Sequence, residues 1–90
     1  MSAFIITRIQ VGEYARWRQM FDQDQPQARE KATVKRVFRS VADPNEVFIF
    51  LEFDSLEDAS ESQRRLLDSG VLDRFDDKHG PNLLEEAAPG

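Results

Sequence analysis

At 90 residues the chain is long enough for one hydrophobic core and too short for two, so residues 1–90 read as a single domain with a frayed tail over 86–90. Twelve Lys and Arg against seventeen Asp and Glu leave a formal charge of −5, which argues against a phosphate-tracking surface, and the lack of Cys excludes disulfides, thiolate chemistry and Cys-ligated metals. The longest apolar run, Val47 to Leu51, is far short of a membrane span, and no basic stretch precedes an apolar one at the N-terminus, so a soluble cytoplasmic protein without nucleic-acid or membrane partners is expected.

Ala3 to Ile9 (AFIITRI) is rich in β-branched residues and predicts a first strand ending before Val11-Gly12. From Glu13 the period changes to that of a helix, with Tyr14, Trp17 and Phe21 on one face and Arg16, Arg18 and Gln19 between them. Gln25-Pro26 should end or kink this helix, because proline lacks the backbone donor and disfavours helical geometry in the residue before it. A further turn is expected over Gln27 to Lys31. Thr33 to Val41 and Glu46 to Phe53 predict a second and a third strand, joined as a hairpin through Ala42-Asp43-Pro44-Asn45. Ser55 has the character of a helix N-cap, Glu57 and Asp58 suit the first turn, and Gly70 suits the terminator. Leu56, Ala59, Leu66 and Leu67 supply the apolar stripe of that helix. A short helical piece with Val71, Leu72 and Phe75 follows, and Pro81 to Glu85 predicts a last short strand.

The order β-α-β-β-α-(short α)-β is the split pattern of ferredoxin-like α+β folds, with an antiparallel sheet and both helices on one face. On the third strand Val47, Ile49, Leu51 and Phe53 point to one side and Phe48 and Phe50 to the other, so the strand is apolar on both faces. Two helices cover only one of them. A homodimer packed sheet to sheet through Phe48 and Phe50 is the expected cover for the second.

Charge is unevenly placed: eight bases and five acids fall in residues 1–45, four bases and twelve acids in residues 46–90. This pattern either steers an anion toward Lys31, Lys35, Arg36 and Arg39 or is an ordinary solvated surface. Tyr14 and Trp17 share the inner face of the first helix, where they serve as core or as a stacking surface for an aromatic ligand. Arg36 shares parity with Val34 and Phe38 and so faces an otherwise apolar surface, with Glu52 as its expected ion partner or an anionic ligand in its place. Gln63, seven residues after Leu56, is placed at a pocket or its rim. His79 is the only imidazole and the first candidate for proton transfer, although Asp76, Asp77 and Lys78 beside it predict an exposed helix end. His79 and Arg36 are thus weak catalytic candidates, and Tyr14, Trp17, Phe21, Arg36 and Gln63 the candidate ligand pocket. No metal or cofactor is assigned. The scattered serines lack a nucleophile-elbow setting and the four glycines form no phosphate loop, so hydrolase and kinase readings fail.

Three stretches carry a family likeness: Glu13-Tyr14-Ala15-Arg16-Trp17-Arg18-Gln19-Met20-Phe21-Asp22; Arg36-Val37-Phe38-Arg39 with Asp43-Pro44-Asn45-Glu46-Val47; and Leu51-Glu52-Phe53-Asp54-Ser55-Leu56-Glu57-Asp58-Ala59. Over roughly residues 3–86 the chain resembles the dimeric α/β-barrel proteins of the antibiotic biosynthesis monooxygenase superfamily, in particular a short subgroup labelled "cyclase". The resemblance implies a ferredoxin-like homodimer with a pocket between sheet and helices. It further implies a cofactor-independent monooxygenase or cyclase acting on an aromatic, polyketide-like molecule, while the lack of a convincing catalytic set and the lone His79 point to the alternative, a noncatalytic ligand-binding or stress-associated module. Members of the subgroup often carry His three positions after the Phe of Phe-Asp, where this chain has Asp24. The first strand lacks the Asn of the heme-degrading members, and the Trp lies on the first helix instead of the second, which sets the chain apart from them.

Overall fold

The computed structural model describes residues 2–23 and 27–87. Four strands and two helices follow the predicted order: β1 (Ala3–Gln10), α1 (Tyr14–Gln23), β2 (Val34–Arg39), β3 (Glu46–Phe53), α2 (Leu56–Ser69), a 3₁₀ turn (Val71–Arg74) and β4 (Lys78–Glu85). The sheet is wholly antiparallel in the order β2-β3-β1-β4. This is the ferredoxin-like α+β fold expected from the sequence.

Strict alternation explains the core. Along β1 and β3 every second residue is buried, and the register Ile5↔Leu51, Thr7↔Ile49 and Ile9↔Val47 puts these side chains on one face. Trp17 of α1, Ala59 of α2 and Leu72 of the 3₁₀ turn close over them, and Phe53, Ile5, Ile9 and Val47 are fully buried. The opposite face carries Phe4, Ile6, Phe48 and Phe50, each half-buried, with Phe38 and Leu84 exposed. Both helices therefore lie on one side of the sheet, and the other side is an apolar surface.

The β2–β3 turn forms as predicted: Asp43 Oδ1 accepts from the Asn45 N–H at 3.0 Å, and the Glu46 N–H donates to the Asp43 carbonyl at 3.0 Å. Its start was misplaced in the sequence reading. β2 ends at Arg39, because the Ser40 hydroxyl accepts from the Ala42 and Asp43 N–H groups and draws the chain into the turn, leaving Val41 fully exposed. Ser55 caps α2 by accepting from the Asp58 N–H at 3.1 Å, and Gly70 ends it in the left-handed region at φ 72°. The inward stripe of α2 matches the expected one at Ala59 and at Leu66, which lines the cavity described below, and differs elsewhere. Leu56 and Leu67 are exposed, and the buried positions are Ala59 and Ser62, whose small side chains let the helix approach the sheet closely; the Ser62 hydroxyl donates to the Ala28 carbonyl.

β4 is longer than Pro81–Glu85 and begins at Lys78. Its pairing with β1 shifts register between Ile6 and Arg8, where the chain passes through Gly80 and a cis Gly80–Pro81 bond. Proline at a bulge leaves no ladder donor unpaired, which is why a strand containing Pro81 is tolerated here. α1 ends at Gln23, while Gln25-Pro26 and Asp24, like the tail from residue 88, lie outside the described residues. No described helix is long and apolar enough to cross a membrane.

Candidate functional site

A cavity of about 70 Å³ lies between the covered face of the sheet and the helices. Thr7, Ile9, Ile49 and Leu51 form its floor; Trp17, Met20 and Phe21 of α1 form one wall; Ala28, Arg29, Leu66, Val71, Leu72 and Phe75 complete it. Close-packed interiors hold few voids of this size, so an apolar one beside three aromatic rings marks a place where side chains leave room. Trp17 stacks on Phe21 with ring centroids 4.8 Å apart and planes 26° apart. Arg29 lies over the outer face of Phe21, 3.8 Å from its centroid, and donates to the Phe21 carbonyl. Of the lining residues, Thr7, Trp17 and Arg29 carry polar side-chain groups.

Past Trp17, Met20 and Phe75 the cavity adjoins a solvent-open groove of about 490 Å³, lined also by Val11, Gly12, Glu13, Arg16 and Arg74. Cavity and groove thus lie side by side with three walls in common. An apolar hollow bordered by a solvent-open groove is the form taken by sites for compact organic ligands.

The residues singled out from the sequence separate. Trp17 and Phe21 line the cavity, and Trp17 is 5% exposed. Tyr14 stands one turn away, outside the lining, with its ring 5.8 Å from Trp17 and the Arg39 guanidinium 3.9 Å above it. Its backbone N–H donates to Asn45 Oδ1 at 3.0 Å, so the β2–β3 turn anchors the start of α1. Arg36 is on the far side of the sheet from Trp17, because β2 register pairs it with Phe50 on the uncovered face. It is exposed, lies 4.9 Å from the centroid of Phe38 and makes no ion pair with Glu52; the open face spares it the burial that would demand one. Gln63 is half-buried, and its amide donates to the Pro81 carbonyl at 2.8 Å, holding α2 to the β4 bulge. His79 is exposed on β4, not at a helix end, and pairs with Arg8 on the uncovered face.

Sequence reasoning missed Thr7, Met20, Arg29 and Phe75. Thr7 had a visible signal, a polar residue at inward parity between Ile5 and Ile9; Arg29 and Phe75 come from connecting segments whose placement no periodicity specifies.

Beside the uncovered face, Arg8 bridges two carboxylates: Nη2 lies 2.6 Å from Glu46 Oε2 and Nη1 2.5 Å from Asp77 Oδ1. The hydrogen bond from Arg8 holds the Asp77 carboxyl below its usual range. On α2, the Lys31 ammonium does the same for Glu61 by hydrogen bond and charge, with Arg65 adding its charge. Neither network touches the cavity.

No protein-family model and no curated protein matches the chain. Solved structures share its fold. A candidate antibiotic biosynthesis monooxygenase from Nitrosomonas europaea superposes with a TM-score of 0.70 at 11% identity, covering 98% of this chain and 92% of that one. Rv0793 from Mycobacterium tuberculosis gives 0.67 at 12% identity, covering 99% and 98%. A second candidate antibiotic biosynthesis monooxygenase, from Chloroflexus aurantiacus J-10-fl, gives 0.58 at 14% identity, covering 100% and 97%. The resemblance carried by Tyr14, Trp17, the Asp43-Pro44-Asn45 turn and Glu52-Phe53-Asp54-Ser55 thus meets, at the level of fold, the proteins it pointed to. This chain has the ferredoxin-like βαββαβ fold of antibiotic biosynthesis monooxygenase-type proteins.

Proposed function

We propose that this protein binds a compact aromatic molecule between α1 and the sheet, as a homodimer packed through its uncovered sheet face. The observation that carries the reading is the apolar cavity beside Trp17, Phe21 and Phe75, which shares Trp17, Met20 and Phe75 with a solvent-open groove. At about 70 Å³ the cavity by itself is smaller than the roughly 150 Å³ in which a benzene ring is held dry. A ring therefore enters with its edge in the cavity and its remainder in the groove, stacked against Trp17. Among the described residues lining the cavity Arg29 alone is ionisable, and a guanidinium stays protonated, so the cavity walls offer orientation and exclusion of water, and the carboxylate of Glu13 lies in the groove outside.

A second reading follows from the likeness to candidate monooxygenases: the bound aromatic supplies its own electrons and reacts with dioxygen, without a cofactor. In such a step a ring CH2 becomes C=O, one oxygen atom of O2 entering the product and the other leaving as water. The chain's part is then to hold the activated carbon away from solvent.

Trp17 is the only tryptophan and reports on the site directly. Titration with 1-naphthol should quench its emission saturably, and Val71→Phe, which fills the cavity, should abolish the quench while circular dichroism shows an intact fold. An unchanged response in that variant would place binding elsewhere and defeat the proposal. Oxygen uptake with a hydroxylated anthrone separates the readings: consumption above the uncatalysed rate that is lost in Val71→Phe supports the oxygenase, and binding without consumption supports the noncatalytic module.

A further inference from the structure

The groove that forms the mouth of the proposed site carries two guanidiniums with no ion-pair partner among the described residues. Arg16 and Met20 lie four apart on α1 and so stand one above the other on the same bank of the groove. From the opposite bank, Arg74 brings Nη1 to 2.7 Å from the Met20 sulfur. Arg16 and Arg74 therefore both line the groove beside Met20, a residue that cavity and groove share. Acids outnumber bases by five in this chain, and among the described arginines Arg8, Arg18, Arg64 and Arg65 have carboxylate partners, while Arg36 and Arg39 lie over the rings of Phe38 and Tyr14 instead. Among the described residues Arg16 and Arg74 have none within ion-pair distance, although Glu13 lines the same groove and Asp73 and Asp76 flank Arg74 in sequence.

We propose that the ligand of this site is an organic acid, its aromatic body against Trp17 and Phe75 and its carboxylate between Arg16 and Arg74. The inference rests on the cavity-binding reading and adds the ligand's charge to it. An apolar chamber selects for a hydrophobic body but not for orientation; two forked donors at the mouth favour the pose in which the anion stays outside. Because the mouth is open to water, each pairing is worth little, and the pair together should give a preference of about tenfold.

The test uses a matched pair of probes, 1-naphthylacetic acid and its neutral amide, titrated into protein carrying 13C-methyl methionine. Met20 and Met1 are the only methionines, so the Met20 methyl resonance reports on the threshold itself. The acid should bind about ten times more tightly than the amide, and the preference should disappear in the Arg16→Gln/Arg74→Gln variant while affinity for the amide holds within twofold. Equal affinities in the native protein, or a preference for the acid that survives the double substitution, would overturn the proposal and leave cavity binding standing. If neither probe moves the Met20 resonance or quenches Trp17, the cavity reading falls and this inference falls with it.

Discussion

Single residues show where this fold has no slack. Gly80 sits at φ 92° in the β4 bulge, and a Cβ built there would lie 2.6 Å from the Ile6 carbonyl oxygen and 2.8 Å from the Asn82 nitrogen. Both obstacles are backbone, so they move only if the sheet does. Gly80→Ala should destabilise the protein by about 1–3 kcal/mol, read as a lower urea midpoint with an unchanged m value. Phe53 is fully buried beneath α2, and Phe53→Ala removes a whole ring from a close-packed core at a cost of about 3–5 kcal/mol. Gln63 is a contrasting case. Its spacing on α2 was legible, but its partner, the Pro81 carbonyl, exists only because the bulge turns that oxygen toward the helix.

At the scale of elements, α2 illustrates what local sequence specifies. Ser55, Glu57, Asp58 and Gly70 marked both ends, and the ends fall there, because capping is a matter of neighbouring backbone groups and needs no tertiary context. Ser55→Ala should cost about 1 kcal/mol in thermal or urea unfolding. The inward face of the same helix was misread in part. Ala59 and Leu66 of the expected stripe do turn inward, but Leu56 and Leu67 are exposed and Ser62 is buried in their stead, since the distance of approach to β1 and β3 decides which side chains fit. The outer flank of α2 carries the Lys31, Glu61 and Arg65 network. The folded protein holds the Glu61 carboxyl below its ordinary value, so the unfolded chain takes up the proton first as pH falls. The stabilisation is present above the ordinary carboxylate range and is lost as pH drops through the lower folded value. Unfolding free energy measured from pH 6 to pH 3 should therefore decline, and Glu61→Gln should flatten part of that decline, with a smaller difference at high salt.

The uncovered sheet face belongs to the whole molecule. Phe4 and Phe50 pack together on it with centroids 5.6 Å apart, joined by Ile6, Phe48, Phe38 and Leu84. Basic Arg36 stands toward the β2 edge, and Glu52, Glu85 and Glu86 border a hollow at Phe4 and Phe50, so two copies related by a two-fold axis can set opposite charges against each other. Sedimentation of the native protein at micromolar concentration should give twice the chain mass of 10.4 kDa, and Phe48→Asp/Phe50→Asp should give the monomer. A native monomer would reject the dimer.

Element order, the turn at Asp43-Pro44-Asn45, the caps of α2 and the two-sided apolar character of β3 were all determined by the sequence alone, because periodicity and capping are local properties of the chain. Which face each side chain serves was decided by register and packing. Arg36 and Trp17 were grouped as one pocket in the sequence and stand on opposite sides of the sheet, since a strand's parity is known within the strand but its side is settled only by the neighbour it pairs with. The cavity belongs to the tertiary structure for the same reason: Thr7, Met20, Arg29 and Phe75 lie far apart in the chain, and only the docking of α1 and the 3₁₀ turn onto the sheet brings them around one space.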